Sequence, residues 1–321
     1  MADHDHAYKL LFSHAEMVAD LLRGFVHEDW VSDLDFSTLE KVDASFISDG
    51  LQAREGDLVW RLRWGKDRWL YVYLLLEFQS TVDPFMAVRV MTYLGLLFQK
   101  LIREKLLTPE GRLPPVLSLV LYNGIMAWRA AQDIAELIEP GPGGLDRYQP
   151  RCRYLLLDEG RLADSELASL RNLAAALFRL EKSRGPEEVQ SVVAALLEWL
   201  RGPEQAELRR AFGTWLSQVL LPARLPGITV PGVMDLKEVK SMLAERVMEW
   251  TRQWEQEGFQ KGHEKDLEEA RSALVEAIEQ RFGPVPEIIR QRIAAMGSVR
   301  EIVLATARAA TAPSLDALEI A

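Results

Sequence analysis

The sequence has little cysteine, no long apolar run and fewer basic than acidic residues. Its single cysteine, Cys152, has no partner for an internal disulfide and leaves no cysteine-based metal cluster, which favours a reducing compartment. No apolar run approaches the roughly 20 residues that span a bilayer, and residues 1–6 are polar and acidic, unlike a secretory signal. These absences predict a cytoplasmic protein without a membrane segment.

The shortage of positive charge bears on function. Lysine and arginine total 38 against 48 acidic residues, which gives a formal net charge of -10. Nucleic-acid binders usually carry a basic face, so this balance argues against a generic protein of that class. It does not exclude a nuclease, because a metal site is itself built from carboxylates that bound cations neutralise.

The length and composition favour a folded protein with more than one domain. Of the 321 residues, 48% are hydrophobic and 27% are charged. Three prolines and two glycines within residues 222–232 predict a boundary. We therefore expect a first domain over residues 1–225, a charged helical connector over 233–266 and a small helical C-terminal domain over 267–321. The apolar positions of the connector could pair with another copy of the chain, giving a homo-oligomer, or pack on their own chain.

Hydrophobic periodicity predicts an α/β fold with a mixed sheet flanked by helices and a C-terminal helical extension. The strand predicted over residues 69–79 is apolar throughout its middle, as expected of a central strand covered on both faces. The predicted elements are a helix over 8–25, strands over 57–64 and 69–79, a helix over 84–107, strands over 116–122 and 154–157, and helical structure over 165–221.

The two predicted strands joined at residues 65–68 carry the residues best suited to chemistry. Residues two apart share a strand face, so Glu77 and Gln79 point the same way. A turn centred near residues 66–67 sets Asp57 opposite residue 76 or 77, and only one of these registers brings Asp57 and Glu77 to one face. Two carboxylates together would suit Mg²⁺. The alternative is a pair of strand-end acids facing solvent, and spacing alone favours it.

Five segments in order resemble the motifs of the recombination-promoting nuclease family, a transposase-like group within the PD-(D/E)XK nuclease superfamily. The segments are DHAYKLLF at 5–12, GDL at 56–58, LLEFQS at 75–80, RVMTY at 89–93, and LYNG at 121–124 followed by Trp128. The resemblance covers about the first half of the chain. It implies a restriction-endonuclease-like fold and hydrolysis of DNA phosphodiester bonds by water, dependent on Mg²⁺ or Mn²⁺, with a role in recombination or mobile elements.

The resemblance also assigns residues to roles. Asp57 and Glu77 become the metal-binding carboxylates, and Gln79 takes the place of the superfamily's lysine, where its amide could position water. The first helix of the superfamily often supplies another acid, for which Glu16 and Asp5 are candidates. Lys9 is a candidate for positive charge near the phosphate, although a solvated helix lysine is the simpler interpretation.

Two further features stay open. Arg89 and Tyr93 share a helix face and either contact DNA phosphate or brace the hairpin, with bracing favoured. The segment RFGPVP at 281–286 resembles a small domain of unknown function often attached to this family, for which we expect oligomerisation or partner binding. Two rival functions remain: a catalytically inactive relative that binds DNA or protein, and an assembly protein that acts through its helical tail.

Overall fold

The computed structural model describes residues 2–42, 57–65, 68–77, 82–124, 126–224, 235–310, 312 and 314. Within these ranges, the side chains of residues 2–5, 57, 75–77 and 245–263 lie outside the description. Among the described helices, none combines the length and apolarity that a membrane span requires.

The described part of the first half of the chain forms a five-stranded mixed sheet. Its strands lie side by side in chain order: β1 (Leu34–Val42), β2 (Asp57–Trp64), β3 (Arg68–Glu77), β4 (Val116–Tyr122) and β5 (Leu155–Asp158). The pairs β1–β2 and β2–β3 are antiparallel, whereas the pairs β3–β4 and β4–β5 are parallel. With helices on both faces, this architecture confirms the predicted α/β fold.

β1 is a strand that the sequence analysis did not predict. The pairing of β1 with β2 shifts between Asp35 and Glu40, which marks a bulge or irregularity. The two buried leucines of the strand, Leu34 and Leu39, are five residues apart, so the two-residue alternation that signals a strand is broken.

One face of the sheet is covered by helix α3 (Met86–Arg103), which connects β3 to the parallel strand β4. The core on this face joins strand and helix side chains that are all at most 5% exposed: Val59, Tyr71, Tyr73, Val120 and Tyr122 from the sheet, and Met86, Val90, Tyr93 and Leu97 from α3. The helix predicted over residues 84–107 is confirmed, but the prediction is a few residues too long at each end.

The opposite face lies under the N-terminal helices and those that follow β5. Its buried strand residues are Leu58, Trp60, Leu62, Leu70, Val72, Leu74, Leu119 and Leu121. The indole N–H of Trp60 donates to the carbonyl of Phe12 at 3.2 Å. β3 thus has buried residues on both faces, as its apolar sequence predicts.

The single helix predicted over residues 8–25 is wrong, because the chain forms α1 (Ala2–Leu11) and α2 (Ala15–Phe25). At the break, the hydroxyl of Ser13 donates to the carbonyl of Lys9 at 2.5 Å and accepts from the Lys41 ammonium at 2.9 Å. Apolar residues continue at helical spacing through this break, so periodicity alone does not reveal it.

The predicted helical stretch over 165–221 contains α4 (Asp164–Ser169), α5 (Leu173–Lys182), α6 (Pro186–Trp199), α7 (Ala206–Trp215) and α8 (Leu221–Arg224). A short 3-10 helix (Pro203–Gln205) precedes α7, and a π-helical segment (Leu216–Leu220) joins α7 to α8. The chain divides into two compact units, Met1–Trp250 and Thr251–Ala321. α9 (Leu236–Phe282) runs through the interval expected to be a connector and is followed by α10 (Glu287–Ala295) and α11 (Val299–Ala309). The second unit has an apolar core of its own, which includes Leu274, Ile278, Ile293 and Ile302. The domain boundaries expected at residues 225, 233 and 267 stay predictions, as does self-association through the tail.

Candidate active site

The register of β2 and β3 fixes the relation between the two candidate metal-binding positions. Asp57 pairs with Leu75, so the expected partners, residues 76 and 77, are wrong by one and two positions. Glu77 lies two residues beyond Leu75, and strand periodicity therefore puts positions 57 and 77 on the same face. The backbones of such diagonal neighbours on adjacent strands lie about 7–8 Å apart across the sheet. The observed register is therefore neither of the two that the sequence left open, although it too puts positions 57 and 77 on one face.

These positions lie where three parallel strands end. Glu77 pairs with Tyr122 of β4, and Tyr122 pairs with Asp158 of β5, so the three residues form one rung across the sheet. Asp57 begins the antiparallel strand β2 beside this end. In open α/β sheets, ligands commonly bind beyond the carboxyl ends of the parallel strands.

The remaining member of the candidate site, Gln79, lies outside the described residues. Across the residues whose placement is described, no group of three or more histidine, cysteine, aspartate or glutamate side chains could hold a metal. That search does not reach the carboxylates of Asp57 and Glu77, so their role as ligands stays a prediction. Carboxylate oxygens from two positions on one face are a donor set that suits Mg²⁺ or Mn²⁺.

Helix α3 places Arg89 and Tyr93 over the same face of the sheet. The ring of Tyr93 meets that of Tyr73 edge-on, with 5.8 Å between centroids, and Tyr93 is only 5% exposed. The guanidinium carbon of Arg89 lies 5.8 Å from the centre of the Tyr93 ring. A helix that joins two parallel strands runs back along them, so the first turn of α3, which includes Arg89, lies toward the end of β3. The ring contact favours bracing for Tyr93, and the place of Arg89 in the first turn of α3 puts it toward the sheet end where the acid positions lie.

Two of the other motif segments meet at the same end of the sheet. The side-chain amide of Asn123, just after β4, donates to the hydroxyl of Tyr8 in α1 at 3.2 Å. Tyr8 also contacts Trp215 edge-on at 5.7 Å between centroids. A Cβ atom on Gly124 would come within 2.1 Å of the Tyr122 hydroxyl, so only glycine fits beside that ring. Tyr8, Asn123 and Gly124 therefore have structural roles around the strand ends.

The accessory candidates of the first helical segment occupy other surroundings. Burial and the nearby Lys9 charge both lower the pKa of Lys41, so these two lysines are neighbours. Lys41 pairs with Trp60, on the face opposite to Asp57. Glu16 is exposed and lines a cavity of about 500 Å³ with Asp20, Arg23 and Phe36. Accessory roles for Lys9 and Glu16 stay predictions, and the side chain of Asp5 lies outside the description.

The acidic pair Asp158–Glu159 at the end of β5 was overlooked by the sequence analysis. The Asp158 side chain, 8% exposed, forms an ion pair with Arg161 at 3.2 Å and lies on the rung of Glu77. Glu159 is 4% exposed, and its burial raises its pKa well above the usual range, against the opposing effect of the Lys182 ammonium. The sequence signal that could have revealed this pair is two acidic residues directly after the apolar strand predicted over residues 154–157.

Buried Glu159 should make the protein less stable as the pH rises. Above a pH of about 4.5 the unfolded chain releases this proton while the folded protein retains it, so the free energy of unfolding falls with pH. The fall continues as the pH rises until the raised pKa is passed. We expect Glu159→Gln to remove this part of the slope in urea unfolding measured from pH 5 to 8. The exposed Glu166→Gln serves as control, and equal slopes in both variants would contradict the prediction.

Comparison with known proteins places the chain in a family. The family model described as "Putative transposase, YhgA-like" matches residues 2–210, which is well over half of the chain. The chain belongs to this family. The match spans the whole described sheet and both motif-bearing helices, α1 and α3. No solved structure matches the chain.

Curated relatives of this YhgA-like chain carry two kinds of name. Recombination-promoting nuclease RpnD of Escherichia coli O157:H7 is 28% identical over 121 residues, 38% of this chain and 45% of the relative. Recombination-promoting nuclease RpnA of Escherichia coli K12 is 30% identical over 122 residues, 38% of this chain and 40% of the relative. Inactive recombination-promoting nuclease-like protein RpnE of the same strain is 25% identical over 304 residues, 94% of this chain and 93% of the relative.

These matches confirm the predicted resemblance to recombination-promoting nucleases. The chain spans less than half the length of RpnD and of RpnA, and the relative that it matches nearly end to end is named inactive. The family is therefore nuclease-like, and the relatives of this chain include some that are named nucleases and one that is named inactive.

Proposed function

We propose that this member of the YhgA-like family is a metal-dependent DNA endonuclease. Asp57 and Glu77 would be its metal-binding carboxylates, and Gln79 would orient the attacking water. The observation that carries this proposal is the β2–β3 register, which puts both acid positions on one face, at the sheet end where the segments around Tyr8, Arg89 and Asn123 also lie.

The residues at this sheet end fit a hard divalent cation. Two adjacent carboxylates repel each other in water, and a shared cation removes that repulsion. When bound, Mg²⁺ or Mn²⁺ would lower the pKa of water and stabilise the charge that develops on the attacked phosphate. The Gln79 carboxamide can hold a water molecule through hydrogen bonds but cannot accept its proton at neutral pH.

Arg89 has the chemistry to orient the substrate phosphate. A guanidinium group presents paired N–H donors that match two phosphate oxygens, and it stays charged at every relevant pH. The ring of Tyr93 lies beside this group and limits its motion. Arg89 would thus supply, from α3, positive charge of the kind that lysine gives at the position of Gln79 elsewhere in the superfamily.

The proposal is tested by plasmid cleavage with the full-length chain. We expect supercoiled DNA to be nicked or linearised in the presence of Mg²⁺ or Mn²⁺, and to stay intact when EDTA is added. Cleavage that persists after exhaustive chelation would contradict a metal-dependent mechanism.

The extended match to the inactive relative RpnE supports a second candidate, a protein that binds DNA without cutting it. The same plasmid, incubated with Mg²⁺ or Mn²⁺ and then analysed by gel shift, separates the two candidates. A stable shift with no cleavage under either metal would favour the second candidate.

A further inference from the structure

The start of helix α3 exposes an aromatic ring to solvent. Phe85, directly before the helix, is 61% exposed, and no other phenylalanine whose side chain the structure describes is exposed. Val88, in the first turn, is 37% exposed and extends this apolar surface. Covering such a ring removes apolar area from water, so a partner that lies against it gains affinity.

Hydrogen bonds of the main chain hold Phe85 in place. Its backbone N–H donates to the Asp83 carboxylate at 2.9 Å. Its carbonyl accepts from the backbone N–H groups of Val88 and Arg89, at 2.9 and 3.2 Å. These bonds do not involve the phenyl ring, which is largely in water, so replacing the ring should leave the start of α3 intact.

Phe85 lies toward the end of the sheet that carries the candidate site. It follows Gln79 by six residues and begins the helix that runs back along β3. Phe85 and Arg89 are spaced i, i+4, so they are neighbours on one side of the helix, with Cβ atoms roughly 5–6 Å apart. An exposed ring therefore stands next to the guanidinium that we propose contacts the substrate phosphate.

Nucleobases are the part of DNA that an exposed phenyl ring can bind. Every base has a flat π face, and stacking on an aromatic side chain contributes to binding with little regard to sequence. In a paired duplex the neighbouring bases cover these faces, so a ring reaches one only where a base is unpaired or unstacked. Stacking needs no positive charge, which suits a chain whose net charge is -10.

We propose that Phe85 stacks on an unpaired base next to the cleaved phosphate, so that the site prefers DNA that is single-stranded at that point. This inference rests on the nuclease function proposed above, because it names the substrate class of the same site. Arg89 would contact the phosphate and Phe85 the adjacent base, which holds the strand at two points on one side of α3. Specificity would then concern the pairing of the DNA rather than its sequence.

The test compares a fluorescent single strand of about 20 nucleotides with the paired duplex of the same sequence, using the full-length chain. Anisotropy is measured in EDTA and, separately, with Ca²⁺ in place of Mg²⁺. We expect the wild type to bind the single strand about tenfold more tightly than the duplex. Phe85→Ala should weaken single-strand binding by the same factor, a loss typical of a truncated stacking residue, and change duplex binding less than about twofold.

Matched variants isolate the aromatic face. Phe85→Tyr keeps the ring and should bind the single strand like the wild type. Phe85→Leu keeps an apolar side chain without a π face and should bind like Phe85→Ala, so wild-type binding by this variant would contradict stacking. Ile102→Ala removes a side chain that is 55% exposed near the other end of α3, and it should leave both affinities unchanged.

The outcomes separate this inference from the nuclease proposal. Equal single-strand affinities for the wild type and Phe85→Ala would overturn the inference and leave the nuclease proposal intact, as would a wild type that does not prefer the single strand. A change of oligomeric state in Phe85→Ala, with DNA binding unaltered, would overturn it too, because the ring would then contact another copy of the chain. The expected affinities without metal-dependent cleavage by the wild type would instead overturn the nuclease proposal alone.

Discussion

Replacing either proposed metal ligand, by Asp57→Asn or by Glu77→Gln, should lower the rate of Mg²⁺-dependent plasmid cleavage by about 10³-fold or more. Each change keeps the size of the side chain and removes its negative charge, which the cation needs for binding. Because both positions lie on one face of adjacent strands, each variant would lose a proposed ligand of the same ion. The double variant should therefore be no slower than either single one.

Stability and charge controls accompany this experiment. Removing one of two neighbouring carboxylates relieves their repulsion in the metal-free protein, so the free energy of unfolding should stay equal or rise slightly. Glu139→Gln removes an exposed acid elsewhere in the same compact unit and should cleave at the wild-type rate. Cleavage by Asp57→Asn at more than a tenth of the wild-type rate would contradict its role as a ligand.

The sequence predicted most of the sheet because its strands have simple patterns. β2 alternates between two faces and β3 is apolar between its end residues, and each was placed within two residues of its observed ends. β1 was missed because its shift in pairing disrupts that alternation. The break between α1 and α2 was missed because side-chain bonds of Ser13, which periodicity does not encode, define it.

The sequence predicted which residue types could form the candidate site, but it could not predict whether those residues lie together. Whether Asp57 and Glu77 share a face depends on a register set by the hairpin turn, and a slip of one residue would separate them. The same register pairs Arg63 with Trp69 and Trp64 with Arg68, and the sequence alone could not fix these cross-strand pairs either. The rung of Asp158 with Tyr122 and Glu77 joins residues far apart in the chain, which spacing cannot reveal.

Tyr93→Ala should destabilise the first compact unit by about 3–5 kcal/mol, the usual loss when a buried aromatic ring is removed. The ring is 5% exposed, contacts Tyr73 on β3, and belongs to the core between α3 and the sheet. Urea unfolding followed by circular dichroism measures this loss. Thr92→Ala, on the exposed side of the same helix turn, is the control and should cost less than about 1 kcal/mol.

Tyr93→Phe separates bracing from phosphate contact. It keeps the ring against Tyr73 and beneath the Arg89 guanidinium but removes the hydroxyl, which is the group that could donate to a phosphate. If Tyr93 acts as a brace, this variant keeps both the stability and the cleavage rate of the wild type within about twofold. A large loss of cleavage with unchanged stability would instead make the hydroxyl a substrate contact, because folding no longer accounts for the defect. Arg89→Gln should lower cleavage in either case, because its guanidinium is the proposed phosphate contact whether or not the Tyr93 hydroxyl takes part.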